Sequence, residues 1–337
     1  MKKLIIMLLV IAVLLVGCAQ KATPEPVELV VEEVIEELPL FRYVNFKIYD
    51  PVYVGMDKGF FEECGVRVEL AADLLAGPTA IQAVAAGSAD GGASSIAALV
   101  NANAAGLPVQ GVIDIQSTIG EDQGDRTQAL QRWYVRSDSD IDGWGDLEGK
   151  DYAVNLWRSS FHYTSLMGLA QNDIDEDSIN WVLLSFDKQI PALAEGAVDV
   201  IGLMQPYQTY AEQLYGDEFK ELHNDRDDIF GGSMNVSLIF LNRVWAEYNP
   251  EAAEAFVCGV RESINWIEAN QDEARPIISK YTEIPVESIA DYHFTENGHV
   301  IAKDIQMWID FMLERGDITA DWLDPEMVGS DYLNVAE

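Results

Sequence analysis

The side chains able to do chemistry in this chain gather at five places where a strand gives way to a helix: Tyr49-Asp50, Gly77 to Thr79, Ser94-Ser95, Trp157 to Ser160 and Met204 to Tyr207. A helix N-terminus presents unpaired backbone N–H groups and a partial positive charge, so it holds an anion or a polar head group. In open α/β sheets, ligands bind at the carboxyl ends of strands. Hydroxyls, amides and aromatic rings brought to one cleft are the usual make-up of a small-molecule pocket. The richest of the five lies within Asp151 to Ser165. Ser159 and Ser160 suit a helix N-cap, because a hydroxyl oxygen accepts from the free N–H groups of the first turn. Phe161, Leu166 and Leu169 then supply an apolar face at helical spacing.

Each of these residues also has a plainer reading. The serines and Thr79 can be helix caps and nothing more. Asp50 could bind an amine, or only cap the helix that Pro51 begins. Arg158 could meet an anionic ligand through its planar fork, or pair with one of the many carboxylates. Trp157 and Tyr53 could stack on a ligand ring or lie in the core. His162, in a first helical turn, reads as a structural hydrogen-bonding residue. The candidate ligand set is therefore Tyr49, Asp50, Tyr53, Thr79, Ser94, Ser95, Trp157, Arg158, Ser159, Ser160, Phe161 and Gln205.

Catalytic signatures are missing. The chain has no G-x-S-x-G elbow, no H-E-x-x-H, no G-x-x-x-x-G-K-[ST] and no dinucleotide-binding glycine fingerprint. Its four histidines, His162, His223, His293 and His299, show no metal spacing. No catalytic residue, metal or cofactor is expected.

The elements that must position the candidate set follow from the hydrophobic pattern. Strands are expected at Tyr43–Tyr49, Arg67–Ala72, Ala89–Ala93, Val109–Gln116, Arg132–Arg136, Asp151–Leu156, Asn180–Ser185, Val198–Leu203 and Asn235–Asn242. Helices are expected at 52–64, 77–86, 96–105, from Ser159 or Ser160, at 189–195 and from Tyr207 to about Tyr215. Asn249-Pro250 opens a strongly amphipathic helix carrying Ala253, Phe256, Val257, Val260, Ile264 and Ile267, and the remainder, with Ile277, Ile278 and Tyr281 and then Val300 to Glu314, is also helical. Residues 117–130 read as a polar loop. Ala83 to Asp90 and Ala192 to Asp199 share the pattern A-x-A-x-G-x-x-D, within the same order of strand and helix. That echo points to two similar α/β lobes.

At 337 residues the chain fits about two lobes. Its 21 Lys and Arg against 57 Asp and Glu give a charge of −36, which excludes nucleic acid as a partner. Lys2 and Lys3 precede an apolar run from Leu4 to Val16, too short for the ~20 residues that span a bilayer. The run ends in Leu15-Val16-Gly17-Cys18. That arrangement resembles a bacterial lipoprotein signal and implies removal of residues 1–17 and lipidation of Cys18, followed by a tether through residue 38. Cys64 and Cys258 read as small buried residues, and their separation in space is not legible.

Five segments resemble, in order, the substrate-binding proteins of nitrate, sulfonate and taurine ABC importers. They are Pro51 to Leu70, Ala83 to Asp90, Asp146-Leu-Glu-Gly-Lys150, Ser159-Ser-Phe-His-Tyr163 and Gln205-Pro206-Tyr207. The resemblance spans about residues 41–315. It implies a type II periplasmic-binding fold, an α/β architecture of two lobes with a ligand cleft between them. Lobe 1 would be 39–131 with 236–337, and lobe 2 would be 132–235. It also implies a solute-binding role without catalysis, an ABC permease and its ATPase as partners, and a lipid-anchored monomer outside the cytoplasm. Ser94, Ser95, Ser159 and Ser160 match the family's ligand positions best. Trp157-Arg158 departs from the pattern, where glycine is common, and Gln205 replaces an acid. The family's range covers nitrate and sulfonates but also pyrimidine and flavin-like rings. Three rival readings stand beside it: a pyrimidine-synthesising enzyme of the same fold, a sensor ectodomain, and an extracellular enzyme with no known motif.

Overall fold

Local chemistry sets where each element starts and stops. A computed structural model describes residues 37–45, 47–73, 77–121 and 126–331, and from Leu38 onward the chain forms one compact unit. Strand β1 is Leu40–Asn45. Helix α1 (Pro51–Lys58) is capped by Asp50, whose side chain accepts from the Val52 amide, with Pro51 supplying the preset φ of a first helical residue. Gly59, at φ 82°, breaks the expected helix 52–64 into α1 and α2 (Phe60–Cys64). The left-handed backbone there ends one helix and redirects the next.

The chain continues as β2 (Arg67–Asp73), α3 (Gly77–Ala85), β3 (Gly91–Ser95), α4 (Ile96–Ala104) and β4 (Val109–Thr118). The next stretch holds β5 (Arg132–Arg136), β6 (Asp151–Val154), α5 (Ser160–Gln171), β7 (Asn180–Leu183), α6 (Phe186–Ala194), β8 (Ile201–Leu203), α7 (Tyr207–Tyr215) and β9 (Phe219–Asn224). The last contains β10 (Met234–Asn242), α8 (Arg243–Tyr248), α9 (Pro250–Ala269), α10 (Gln271–Thr282), α11 (Ala302–Glu314) and α12 (Pro325–Val328).

Two groups of strands result. The first is a five-stranded sheet in the order β2-β1-β3-β10-β4, with β1 parallel to β2 and β3, and β10 antiparallel to its neighbours. Its strands come only from residues 40–118 and 234–242. The second group is the sheet β8-β5-β9 and the parallel pair β6-β7, linked by a bridge from Tyr152 to Val200. The chain crosses between the groups twice. Gln131 and Asp225 tie the crossings together: the Gln131 amide donates to Asp225 Oδ2 at 2.9 Å and the Asp225 amide donates to the Gln131 carbonyl at 3.0 Å.

The C-terminal helices cover the first sheet's side of the molecule. α9 lies along α1 and α2, and α11 lies on α4. The Phe256 ring stacks on Phe41 at 3.8 Å and on Phe61 at 5.4 Å. Gly259 makes this approach possible, since a Cβ there would meet the Phe61 ring at 2.3 Å. Among the described residues no helix is long and apolar enough to cross a membrane.

Three expectations need correction. The strand drawn through Tyr49 stops at Asn45, so Tyr49 is not at a strand end. The strand β9 was not anticipated, because Phe219 to Asn224 mixes charge and apolar residues without clean alternation. Cys64 and Cys258 are not two independent buried thiols but a disulfide between α2 and α9, with Cα atoms 6.1 Å apart. The lipidation site Cys18, the signal and most of the tether lie outside the described residues.

Candidate functional site

Where β3 and β6 end, the two groups of strands face each other across a cavity of about 30 Å³. That is room for a few waters. From the first group come Gly77 and Pro78 at the start of α3, Ser94 and Ser95 at the end of β3, Gln116 on β4 and Ser237 on β10. From the second come Asn155 after β6, Ser159, Ser160 and Phe161 at the start of α5, Phe186 at the start of α6 and Met204 after β8. Ile48, Ala93 and Leu130 complete the lining, and none of these residues is charged.

Two serines there are helix caps. Ser95 has extended backbone and its Oγ accepts from the Ala98 amide at 3.3 Å. Ser159 is also extended, accepts from the His162 amide at 3.3 Å, and donates to Asn155 Oδ1 at 2.8 Å. Helices α3, α4 and α5 therefore all begin at this cavity, each adding N-terminal dipole charge and free N–H groups. Ser94 differs from Ser95. It sits on the strand, with its Oγ buried and without a hydrogen-bond partner, as is Gln116 Nε2. Buried polar atoms nearly always have partners, and an orphan calls for an explanation. Here two orphaned donors line the same cavity.

The sequence-derived candidates divide sharply. Ser94, Ser95, Ser159, Ser160 and Phe161 come together in the lining. Tyr49 does not: it is fully buried and stacks on Tyr292 at 4.5 Å. Asp50 is fully buried as the cap of α1 and accepts from the Tyr43 hydroxyl at 2.6 Å. Burial raises its carboxyl to about 6. Tyr53 stacks on Tyr281 at 4.6 Å, and its hydroxyl accepts from the Lys47 amide. Thr79 follows the lining pair into α3 but is exposed and outside the lining. Gln205 turns to Thr209 at 3.1 Å, leaving its neighbour Met204 to line the cavity.

Trp157 and Arg158 line a second cavity, of about 240 Å³, with Pro78, Gln82, Asn101 and the apolar side of α3 and α4. Arg158 takes φ 62°, the left-handed region that glycine enters freely. That explains why glycine would suit this place, and an L-residue there costs about 1–2 kcal/mol. The Arg158 amide donates to His162 Nδ1 at 3.3 Å. His162 stands between Trp157 and Trp181, and burial, then nearby Arg315, lowers it to about 4. It is neutral at pH 7 and can accept that bond.

Gln116, Ser237 and Asn155 were missed. Their signal was polarity inside or beside a strand that is otherwise apolar, which a buried strand tolerates only for a reason. Phe186 gave no such signal, and Met204 entered only as the start of the junction running to Tyr207.

Taken together, the sheet order and the cavity between facing helix N-termini define a periplasmic-binding fold. The chain belongs to the family described as NMT1/THI5 like, whose profile matches residues 48–274. The aliphatic sulphonate binding protein SsuA of Escherichia coli is similar in structure at a TM-score of 0.69, with 19% identity over 86% of this chain and 92% of that one. The alkanesulfonate-binding protein of Xanthomonas axonopodis, bound to MOPS, gives 0.68 with 18% identity over 87% and 99%. The nitrate-binding protein NrtA of Synechocystis PCC 6803 gives 0.66 with 13% identity over 87% and 85%. No curated protein matches the sequence.

Proposed function

We propose that this protein is the extracytoplasmic solute-binding component of an ABC importer, taking a small oxyanion-bearing solute such as a sulfonate. The observation that carries this is the pair of orphaned donors, Ser94 Oγ and Gln116 Nε2, in an uncharged cavity where three helices begin. Hydroxyls, amides and helix dipoles hold a spread-out anion well. Nothing in the lining is a carboxylate, imidazole or thiol that would activate a nucleophile. The fold's relatives bind sulfonates and nitrate, which supports the same reading.

In this reading the two groups of strands are lobes, 39–131 with 236–337 and 132–235. The crossings at Gln131 and Asp225 act as the hinge. A cavity of about 30 Å³ does not admit an organic solute, so the lobes part for entry and close on the ligand. The closed form then docks on a permease served by an ATPase. The protein acts as a monomer held to the membrane by lipid on Cys18. The disulfide between Cys64 and Cys258 agrees with an oxidising compartment.

A thermal-shift screen of the purified protein against sulfonates, nitrate, pyrimidines and flavins tests this. A ligand at 100 times its Kd stabilises by about 2.7 kcal/mol. Sulfonates or nitrate are expected to raise Tm, and Ser94→Ala with Gln116→Leu to remove the shift. A shift from pyrimidines or flavins alone overturns the choice of ligand class, and turnover of the bound compound overturns the binding role.

A further inference from the structure

We infer that the groove walled by Trp157 and Arg158 is a second ligand subsite, so that the solute is a two-ended one: an oxyanion head, a flat ring, and a second anionic group at the far end. The inference rests on the reading of the inner cavity as the head-group site. That cavity, at about 30 Å³, has no room for the rest of an organic solute. The body of the ligand must leave it, and the walls show where. Pro78 lines both the inner cavity and the groove. On the opposite side, Ser159 lines the inner cavity and its chain neighbour Arg158 lines the groove. The two spaces thus share a boundary made of Pro78 on one face and the Arg158-Ser159 peptide on the other.

The groove has the chemistry of a ring site. A cavity of about 150 Å³ holds a benzene, so 240 Å³ takes a ring with a substituent. Ile81, Ala98, Ala102 and Leu107 give it an apolar lining, and Trp157, 43% exposed and held edge-on by His162 at 4.8 Å, lines it from the other group of strands. Arg158 supplies the charge. Its guanidinium is exposed to solvent and makes no hydrogen bond or ion pair with any described residue, in a chain with 57 acidic residues. An arginine in such surroundings, kept at a backbone conformation that glycine would adopt more easily, is free to take an anionic group through its planar fork.

Calorimetry of the purified protein with three probes tests this: propanesulfonate, phenylpropanesulfonate and carboxyphenylpropanesulfonate. Each addition is expected to tighten binding about tenfold, the ring through Trp157 and the carboxylate through Arg158. Trp157→Ala should bring phenylpropanesulfonate to within about twofold of propanesulfonate. Arg158→Gly should bring carboxyphenylpropanesulfonate to within about twofold of phenylpropanesulfonate. Glycine suits φ 62°, so this variant folds, and an unlowered Tm verifies it. Equal affinity for the three probes, or gains that survive both substitutions, overturns the second subsite and leaves the inner site standing. If propanesulfonate and its two extensions all fail to bind the unaltered protein, the head-group reading falls and this inference falls with it.

Discussion

Asp199 Oδ2 accepts a hydrogen bond from the backbone amide of Asp151 at 2.9 Å, tying the start of β6 to the turn before β8. Asp90 does the same for the Arg42 amide at 2.9 Å, at the same separation of 48 residues. Gly87 and Gly196, each three residues earlier, both turn with positive φ. The A-x-A-x-G-x-x-D echo is therefore one device used twice, with the glycine making the turn and the carboxylate closing it onto the first strand. The two copies differ in their surroundings. Asp90 is 2% exposed and also takes the Arg42 guanidinium at 2.7 Å, whereas Asp199 is half-buried. Asp90→Ala should cost about 3 kcal/mol and Asp199→Ala about 1 kcal/mol, as hydrogen bonds to charged, buried groups are the stronger kind. Urea unfolding measures both, and equal losses would contradict the role given to burial.

Ser94 and Gln116 invert the usual effect of a polar-to-apolar change. Both are almost fully buried, with a donor that has no partner among the described residues. Ser94→Ala should leave stability unchanged or raise it by up to about 1 kcal/mol, because an unsatisfied group is removed. The same change should weaken solute binding about tenfold. Unfolding and calorimetry on one preparation separate the two effects. A large loss of stability would assign Ser94 to the structure alone.

Two buried carboxyl groups favour the folded state in acid. Burial raises Asp114 to about 7, against hydrogen bonds from Thr295 and Ser117, and raises Asp50 to about 6. Both sit above the ordinary carboxylate value, so the folded state binds protons that the unfolded state releases. Their contribution is complete below about pH 4 and is lost as pH rises towards 6 for Asp50 and 7 for Asp114. Glu176 and Asp227, held low by Arg315 and Arg226, act in the opposite sense but are more exposed. His162 and His223, which burial holds down at about 4 and about 3, also act in the opposite sense between pH 5 and 7, so the contribution of Asp114 is read as a difference between parent and variant. Asp114→Asn should make the slope of stability against pH less negative by about 1 kcal/mol per unit between pH 5 and 7, and an unchanged slope would remove Asp114 as a contributor.

The bond between Cys64 and Cys258 closes a loop of 194 residues. Restricting so long a loop in the unfolded chain contributes on the order of 2–5 kcal/mol. Cys64→Ala with Cys258→Ala should lower unfolding stability by that amount while leaving solute affinity unchanged, since neither residue approaches the cavity lining. A lost affinity would show that the α2–α9 tie shapes the site.

The capping serines were legible because their chemistry is local: a hydroxyl, a polar approach and an apolar helical face fall within a few residues. Ser95 and Ser159 needed no knowledge of the rest of the chain. Tyr49, Asp50 and Tyr53 misled for a physical reason. A ring or carboxylate beside a helix start has the same pattern whether it faces a cleft or a core; Tyr43 on β1 turns Asp50 inward, and α10 and its flank cover Tyr53 and Tyr49. Gln116 and Ser237 became site residues through the antiparallel insertion of β10 beside β3 and β4, a pairing across more than a hundred residues. The disulfide joins partners equally remote in sequence, so no spacing betrays it.

The uncharged lining has a kinetic consequence. The chain as a whole carries a net charge of −36, so under the proposed reading an anionic solute approaches through a field of its own sign. Once inside, it is held by dipoles and hydrogen bonds that dissolved ions screen little. Added salt should therefore quicken capture and leave release nearly untouched. A solute held by the inner cavity alone therefore binds more tightly as the medium grows saltier, whereas a carboxylate held by the exposed Arg158 is screened and loses affinity.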